Sequence, residues 1–531
     1  MKKKDIKYAV NRAIDNIILE GCTDVSVFGR PFELKLLKDK LFRSEIVSNV
    51  VSLLDGIINS NNKFSSLKIN KISHMLVPKK TFYDFRKCAL IDIIDEIKYL
   101  SIVLLIANEI EKNRLSNKIV YSYRYKPKTN GRLFDERYNY SSFKREYKRI
   151  SSMKKYNVII DCDISNFYDR LNLHRLNSTL LSIKTIDEKI TNTIDELLLF
   201  WANRDSYGLP VGSNASRILA EAFLIEIDNY LISNNIRFCR FVDDYRFFAK
   251  DVSEANKILS LFVNILNKHG LSINLGKTHM HDIKGYHVDS KKNKKIKQEG
   301  ISEIIRGYSG VVPTKFRLLS DSEKERLKVE NSDEMIIELN NLSIIDKPEN
   351  IIKLIKTLVA KCEFKKFIMI PDILKKYPQF VPYFSDAIYK CREYIDKKIY
   401  EEILNKFSYW LYDGDTPEYI IISIVKLFDS TNMNEKKILL DYFRNLKRNT
   451  GIYIARIILE QIGSNLTRGE LLELKDYYLR ADNFEKRQIV KMVLDGLSVS
   501  ENRPFVKDLL INSNDCFIVE MANKYNKKNR K

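Results

Sequence analysis

From Asp5 to about Leu54 the apolar residues recur three and four positions apart, as in Ile6, Val10, Ala13, Ile14 and Ile17. That is the period of amphipathic helices. A second helical region is predicted from Cys88 to Glu111, after the segment VPKKTFYDFR. Between Tyr121 and Arg149 aliphatic residues give way to Tyr, Arg and Lys, and this stretch reads as loop or short strands. NVIIDCDI (157–164) is a β-branched run of strand length. A helix is predicted from Ala215 to Leu231, followed by FCRFVDDYRFFA (238–249), which reads as two short strands hinged at an acidic pair. Residues 253–269 return to helical period, and 271–284 are strand-like.

After the charge run SKKNKKIKQEG (290–300) the character changes. From about Pro348 onward nearly every segment has helical period, with short polar breaks between PENIIKLIKTLVA, DKKIYEEILNKFSYWL, PEYIIISIVKLFDS, NEKKILLDYFRNLKR and GIYIARIILEQIG. Consecutive short helices without strand signals suggest a stacked helical-hairpin array of the HEAT kind. An irregular helical domain is the alternative, since no strict repeat consensus is visible.

Composition narrows the class. The 531 residues include 90 Lys or Arg and 69 Asp or Glu, giving a net charge of +21. With 44% hydrophobic residues, 17 Gly and 11 Pro, the chain is globular and more than one domain long. The positive balance points to a polyanionic partner. Seven scattered cysteines without CxxC spacing read as reduced core thiols, not as a disulfide framework or zinc site. The basic start lacks the apolar stretch of about 7–15 residues of a signal peptide. No window reaches the ~20 apolar residues of a membrane span. A cytoplasmic protein with no membrane partner is expected.

The chemistry concentrates in two carboxylate clusters on strands, Asp163 in DCDISNFYDRL and the Asp243-Asp244 pair in FVDDYRFF. Phosphoryl transfer to nucleic acid uses two divalent cations about 3.5–4 Å apart. Mg²⁺ takes a few carboxylate oxygens plus substrate phosphates, so Asp residues at neighbouring strand ends suit it. Asp161, two residues before Asp163, falls on the same strand face.

Five blocks in order resemble reverse transcriptases. DISNFYDRL (163–171) resembles motif A, GLPVGSNASRILAE (208–221) motif B, FVDD (241–244) the motif C box, and GLSINLGKTHM (270–280) motif D with its lysine. VPKKTFYDFR (77–86) followed by IDIIDEIKYL is similar to the fingers pattern of a lysine, an arginine and an acidic helix. The wording of motifs A and B, YSYRY (121–125) and the helical C-terminal half resemble the abortive-infection (Abi) branch of bacterial antiphage reverse transcriptases.

The resemblance implies an α+β fold: a reverse-transcriptase-like module over 1–300, with fingers to about 150 and palm from about 151, then an all-α HEAT-like domain over 301–531. Asp163, Asp243 and Asp244 would bind Mg²⁺ or Mn²⁺. Lys277 would donate a proton to departing pyrophosphate. Lys79 and Arg86 would grip the triphosphate, and Tyr168 would exclude a ribose 2′-hydroxyl. Gly212 would let the backbone approach nucleotide or template, with Ser216 and Arg217 opening the helix behind it. The implied activity is addition of dNTPs to a DNA 3′ end, template-independent and protein-primed, by a homo-oligomer whose DNA product is covalently attached. Tyr8, beside the first apolar stripe and near the terminus, is the candidate primer.

Two departures matter. The usual P-Q-G of motif B reads Pro210-Val211-Gly212, and the C-terminal half shows no paired-carboxylate nuclease pattern. Two other readings stay open: a conventional templated RNA-directed DNA polymerase, and a non-catalytic nucleic-acid-binding scaffold whose +21 charge gives salt-sensitive binding.

Overall fold

The computed structural model describes residues 1–23, 31–60, 62–79, 85–283, 314–341, 350–413, 416–446 and 452–529. The charge run 290–300 and the KTFYD stretch at 80–84 lie outside the described residues. The chain divides into two compact units, Met1–His74 with Cys88–Glu299, and Met75–Lys87 with Gly300–Lys531.

The first unit is built on a four-stranded antiparallel sheet. β3 (Val158–Asp163) lies between β5 (Asp244–Ala249) and β6 (His279–Asp282), and β4 (Phe238–Phe241) flanks β5. The β-branched run of β3 is buried along nearly its whole length, as a central strand requires. The register sets Asp163 opposite Asp244 and Asp161 opposite both Arg246 and His279. On the other face Tyr245 and Phe247 stack within the sheet and pack on Phe262 of the Val252–Lys268 helix, with ring centroids 4.8 and 4.9 Å away.

Helix Lys3–Glu20 buries the Ile6, Val10, Ala13, Ile14, Ile17 stripe and packs against helices Lys40–Ser60 and Ile93–Asn113. Ile93–Asn113 in turn packs on the long helix Asn214–Ser233. Helices Leu173–Ser182 and Glu188–Trp201, which no sequence signal above had marked, pack on each other between β3 and that long helix in chain order.

Three expectations need correction. Cys88–Leu90 ends a strand, β2 (Phe85–Leu90), which forms a two-stranded sheet with β1 (Ser73–Pro78); the helix starts only at Ile93, where the Asp92 carboxylate accepts from the Ile94 amide at 2.9 Å. The Tyr121–Arg149 stretch also contains a helix, Tyr140–Ser151, opened by a reciprocal cap between Asn139 and Ser142. Its buried stripe is Phe143, Tyr147 and Ile150. Counting aliphatics missed it, because aromatic rings supply the apolar face. The core-thiol expectation also fails at Cys362, which is exposed, whereas Cys22, Cys88, Cys162, Cys239 and Cys391 are buried and Cys516 half-buried; all seven are free thiols.

The described part of the second unit beyond residue 313 is entirely helical. Helices Asn350–Ala360, Val381–Cys391, Glu418–Val425, Ile452–Ile462, Asn483–Gly496 and Cys516–Asn529 pack each on the next. Lys397–Tyr412, Met433–Asn445, Arg468–Tyr477 and Val499–Asn512 alternate with them in sequence and pack on the helix that follows. Among the described residues no helix is long and apolar enough to cross a membrane.

A buried ionic network ties the first unit together. Arg240 of β4 is 0% exposed, and its guanidinium reaches Asp228 at 2.6 Å and Glu221 at 3.0 Å, both on the Asn214–Ser233 helix. Arg114 joins Glu221 from a third element at 2.6 Å. Burial alone would raise the Glu221 carboxyl, but Arg114 and Arg240 reverse this and hold it below its ordinary range. Removing one partner of such a group strands a buried charge. Arg240→Ala should therefore cost about 3–5 kcal/mol of unfolding free energy, read from urea denaturation of the full-length protein.

Candidate active site

Asp163 ends β3 and Asp244 begins β5 directly across from it. Between β4 and β5 the chain turns in only two residues, Val242 and Asp243. Val242 has φ 55, a left-handed conformation that a β-branched residue adopts only when its surroundings impose it. They do so at both ends. Its amide donates to Ser122 Oγ at 2.9 Å, and its carbonyl accepts from Arg240 Nη1 at 2.9 Å. Ser122 in turn donates to Glu221. The network that closes the core thus also fixes the turn that presents Asp243.

The motif D segment closes on the end of β3. The Asn274 amide donates to the Asp163 carbonyl at 2.7 Å, and Asn274 Nδ2 donates to Asp163 Oδ2 at 3.1 Å. Lys277 Nζ donates to the same Oδ2 at 3.1 Å. Ser165 N donates to the Ser272 carbonyl at 2.8 Å, locking the two segments side by side. Lys277 is therefore brought to the carboxylates, paired with Asp163.

Three acids crowd one spot. Asp163 is 5% exposed, while Asp243 and Asp244 are half-buried. Loss of water and then the charges of Asp163 and Asp244 push the Asp243 carboxyl up to about 7. Burial, partly offset by Arg246, raises Asp244 as well. Arg246 Nε lies 2.9 Å from Asp161 Oδ1, a charge contact off the hydrogen-bond axis, and Arg246 Nη1 lies 4.0 Å from Asp244. Asp161 is thus engaged by Arg246. A divalent cation would relieve this crowding, and a donor set of carboxylate oxygens suits Mg²⁺ or Mn²⁺. Among the described residues no three acidic, histidine or cysteine side chains form a ready-made cage.

The motif B loop is tied to the motif A segment, the Gly208 amide donating to the Leu171 carbonyl at 2.9 Å. Gly212 has φ 117, where a Cβ would be strained, and Ser213 caps the helix that follows. Ser213 Oγ accepts from the Ala215 amide at 3.1 Å and donates to Glu96 Oε1 at 2.6 Å. Ser216 is fully buried, its hydroxyl 3.1 Å from Tyr99 Oη, so it seats the helix. Arg217 lies over the Tyr123 ring at 5.2 Å. Tyr168, half-buried in the short helix Phe167–Arg170, is joined to the loop by the Leu209 amide, which donates to its carbonyl at 2.9 Å.

Lys79 follows β1 and Arg86 lies in β2, both within the Met75–Lys87 stretch that groups with the second unit. Tyr8 is 63% exposed, with Arg12 over its ring at 4.6 Å. Its helix starts at Lys3 and is docked through Ile6, Ala9 and Val10, so Tyr8 sits on a packed element. Sequence reasoning passed over Arg114, Ser122, Arg240, Arg246 and Glu96. Arg240 sits only three residues from Asp243, and Glu221 closes the quoted motif B, but no spacing rule pairs them.

Residues 97–302 match the family described as reverse transcriptase (RNA-dependent DNA polymerase). A reverse transcriptase domain, a polymerase-type nucleotidyltransferase, is present in this stretch. The match includes Asp163, Asp243, Asp244 and Lys277 and begins after Lys79 and Arg86. Among solved structures the chain is similar to telomerase from Candida albicans with a TWJ fragment of telomeric RNA, at TM-score 0.30 and 11% identity over 75% of this chain and 67% of that one. Telomerase from Candida tropicalis with the same type of RNA fragment gives TM-score 0.29 and 14% identity over 68% and 64%. Apo telomerase from Candida tropicalis gives 0.29 and 12% over 82% and 73%. No curated protein matches the chain.

Glu96 gives a direct test of how the motif B loop is seated. Burial, only partly offset by Ser213 and Arg217, pushes its carboxyl up to about 8, and Oε2 has no hydrogen-bond partner. The fold keeps a proton that the unfolded chain releases near 4.5. Its stabilising contribution is full below that value and is lost as pH rises toward 8. Glu96→Gln, which mimics the neutral acid, should gain stability over the parent progressively from about pH 5 to about pH 8, by up to a few kcal/mol, and then level off. Thermal melts across that range measure it.

Proposed function

We propose that this protein is an antiphage polymerase of the abortive-infection type, adding dNTPs to a DNA 3′ end without copying a template and starting on a tyrosine of its own. The supporting observation is the convergence of Asp163, Asp243, Asp244 and Lys277 at one end of the sheet within the reverse transcriptase domain. Its architecture is a palm-and-fingers module over about 1–300 with a HEAT-like array over 301–531, and the two-helix packing period of the second unit supports the latter.

Asp163 and Asp243 would hold the divalent cation, which when bound supplies charge that activates a hydroxyl and neutralises phosphates. The residues around them orient and discriminate. Arg240 and Ser122 hold the Val242 turn so that Asp243 stays beside Asp163. Lys277 would protonate pyrophosphate as the α-phosphate bond breaks, a role that its 3.1 Å contact with Asp163 supports. Lys79 and Arg86 would take the triphosphate, and the Tyr168 ring would stand against a 2′-hydroxyl.

Purified full-length protein incubated with labelled dNTP and Mg²⁺, then denatured, should leave label on the polypeptide. Asp243→Asn, nearly the same shape, should reduce incorporation to background with a melting temperature no lower than the parent's, since it removes a crowded charge. Normal incorporation by this variant would remove the site assignment. Label migrating only as free DNA would remove protein priming, and label surviving Tyr8→Phe would remove Tyr8 as the primer. A product complementary to an added RNA would establish templated copying instead.

Tyr168→Ala should lower the ratio of dNTP to rNTP incorporation at least tenfold, because loss of the ring opens space for the 2′-hydroxyl. Side-by-side kinetics with both nucleotide types read the ratio, and an unchanged value would leave Tyr168 a packing residue.

A further inference from the structure

The Tyr140–Ser151 helix lies on the same sheet face as the carboxylates. Asp163, Asp161 and Ile159 alternate to one side of β3, and Asp244, Arg246 and Phe248 face them from β5. Phe143, Tyr147 and Ile150 pack into a cluster with Ile159 and Phe248. The helix therefore covers one end of a face whose other end is the candidate active site.

Its first residue, Tyr140, is 39% exposed and meets Phe241 edge-on at 5.4 Å. Phe241 is the register partner of Asp244, so this ring stands beside the motif C turn. Lys144 and Lys148 follow at successive turns, with Arg145 beside them, and all three are exposed. Lys144 Nζ sits 4.5 Å over the Tyr140 ring. The acidic residue of this helix, Glu146, is taken by Arg149 through contacts of 2.9 and 2.6 Å. Among the described residues Arg145 and Lys148 have no acidic partner. A solvated face kept for solubility alone would mix signs; this one has an exposed aromatic at the site end, and Arg145 and Lys148 lead away from it.

The geometry points to this helix face as a track for a single-stranded polynucleotide, with a base stacked on Tyr140 and the following phosphates along Lys144, Arg145 and Lys148. Aromatic stacking demands an unpaired base, and a row running about 12 Å along the helix from Tyr140 to Lys148 follows a phosphate backbone without reading sequence. Placing the strand's end at the carboxylates rests on the polymerase reading; the binding itself does not.

Fluorescence anisotropy of the full-length protein with labelled oligo-dT and oligo-U, without metal or nucleotide, tests it. The triple variant Lys144→Gln/Arg145→Gln/Lys148→Gln should bind about tenfold or more weakly, and its log K against log salt should flatten by about 2, three contacts at ~0.7 each. Tyr140→Ala should weaken binding about tenfold with the parental salt slope, while Tyr140→Phe keeps parental affinity. Tighter oligo-dT identifies the occupant as a DNA strand, and tighter oligo-U as RNA; either supports the track. Melting curves, and the single variant Lys148→Gln with about one-third of the slope change, guard against misfolding. Parental affinity and slope in the triple variant, or no binding of either oligonucleotide by the parent, would overturn the track. If the parent polymerises while the triple variant binds normally, the track alone fails. If no dNTP is incorporated but the triple variant loses binding, the track stands and the polymerase reading fails.

Discussion

A guanidinium with no access to water must have its charge balanced and its donors occupied, and Arg240 meets both demands by gathering three elements around itself. Asp228 and Glu221 come from one helix, Arg114 and Ser122 reach Glu221 from the segment after another, and the Val242 carbonyl comes from the turn between β4 and β5. None of these groups could be buried alone without a penalty of several kcal/mol. Together they are interdependent, and the cost of losing any one fixes the others. The left-handed Val242 is the point where this constraint reaches the candidate site, since the same contacts that balance the buried charge hold the turn carrying Asp243.

Around that turn the electrostatics run in the opposite sense. The buried network pairs each acid with a guanidinium, whereas the cluster of Asp163, Asp243 and Asp244 keeps three acids close with Lys277 and the more distant Arg246 as counter-charges. A fold that can satisfy Glu221 so fully leaves Asp243 under-compensated at one end of the sheet with solvent access. Under-compensation there is what a site for a cation and phosphates requires. The Glu96–Ser213 contact extends the principle to the motif B loop, where a neutral acid seats the helix cap next to Gly212 without adding charge.

The second unit works by different physics. Each helix there contacts mainly its neighbours in the chain, so stability accumulates locally along the array and does not converge on one buried charge. The apolar stripes of PEYIIISIVKLFDS and GIYIARIILEQIG are wide enough to be covered on two sides, consistent with helices Glu418–Val425 and Ile452–Ile462 packing on both a predecessor and a successor.

The strand of NVIIDCDI, the hinge at the acidic pair, the helices on either side of it and the helical C-terminal half were legible in the residues, because period and β-branching act locally and need no partner. Asp163 and the Asp243-Asp244 pair were legible for the same reason, each within one short segment. The Tyr140–Ser151 helix was not, because its stripe is made of rings that also occur in loops, and only the sheet face beneath it tells the two apart. The start of the Ile93–Asn113 helix was misplaced because Cys88–Leu90 is apolar in either conformation, and pairing with β1 decided for strand. The register that sets Asp163 against Asp244, the reach of Lys277 across the chain, and the roles of Arg240, Ser122 and Glu221 belong to tertiary structure alone. A buried charge is a statement about which groups lie within 3 Å of one another, and Arg114 and Glu221, 107 positions apart, reach 2.6 Å only when the chain has folded.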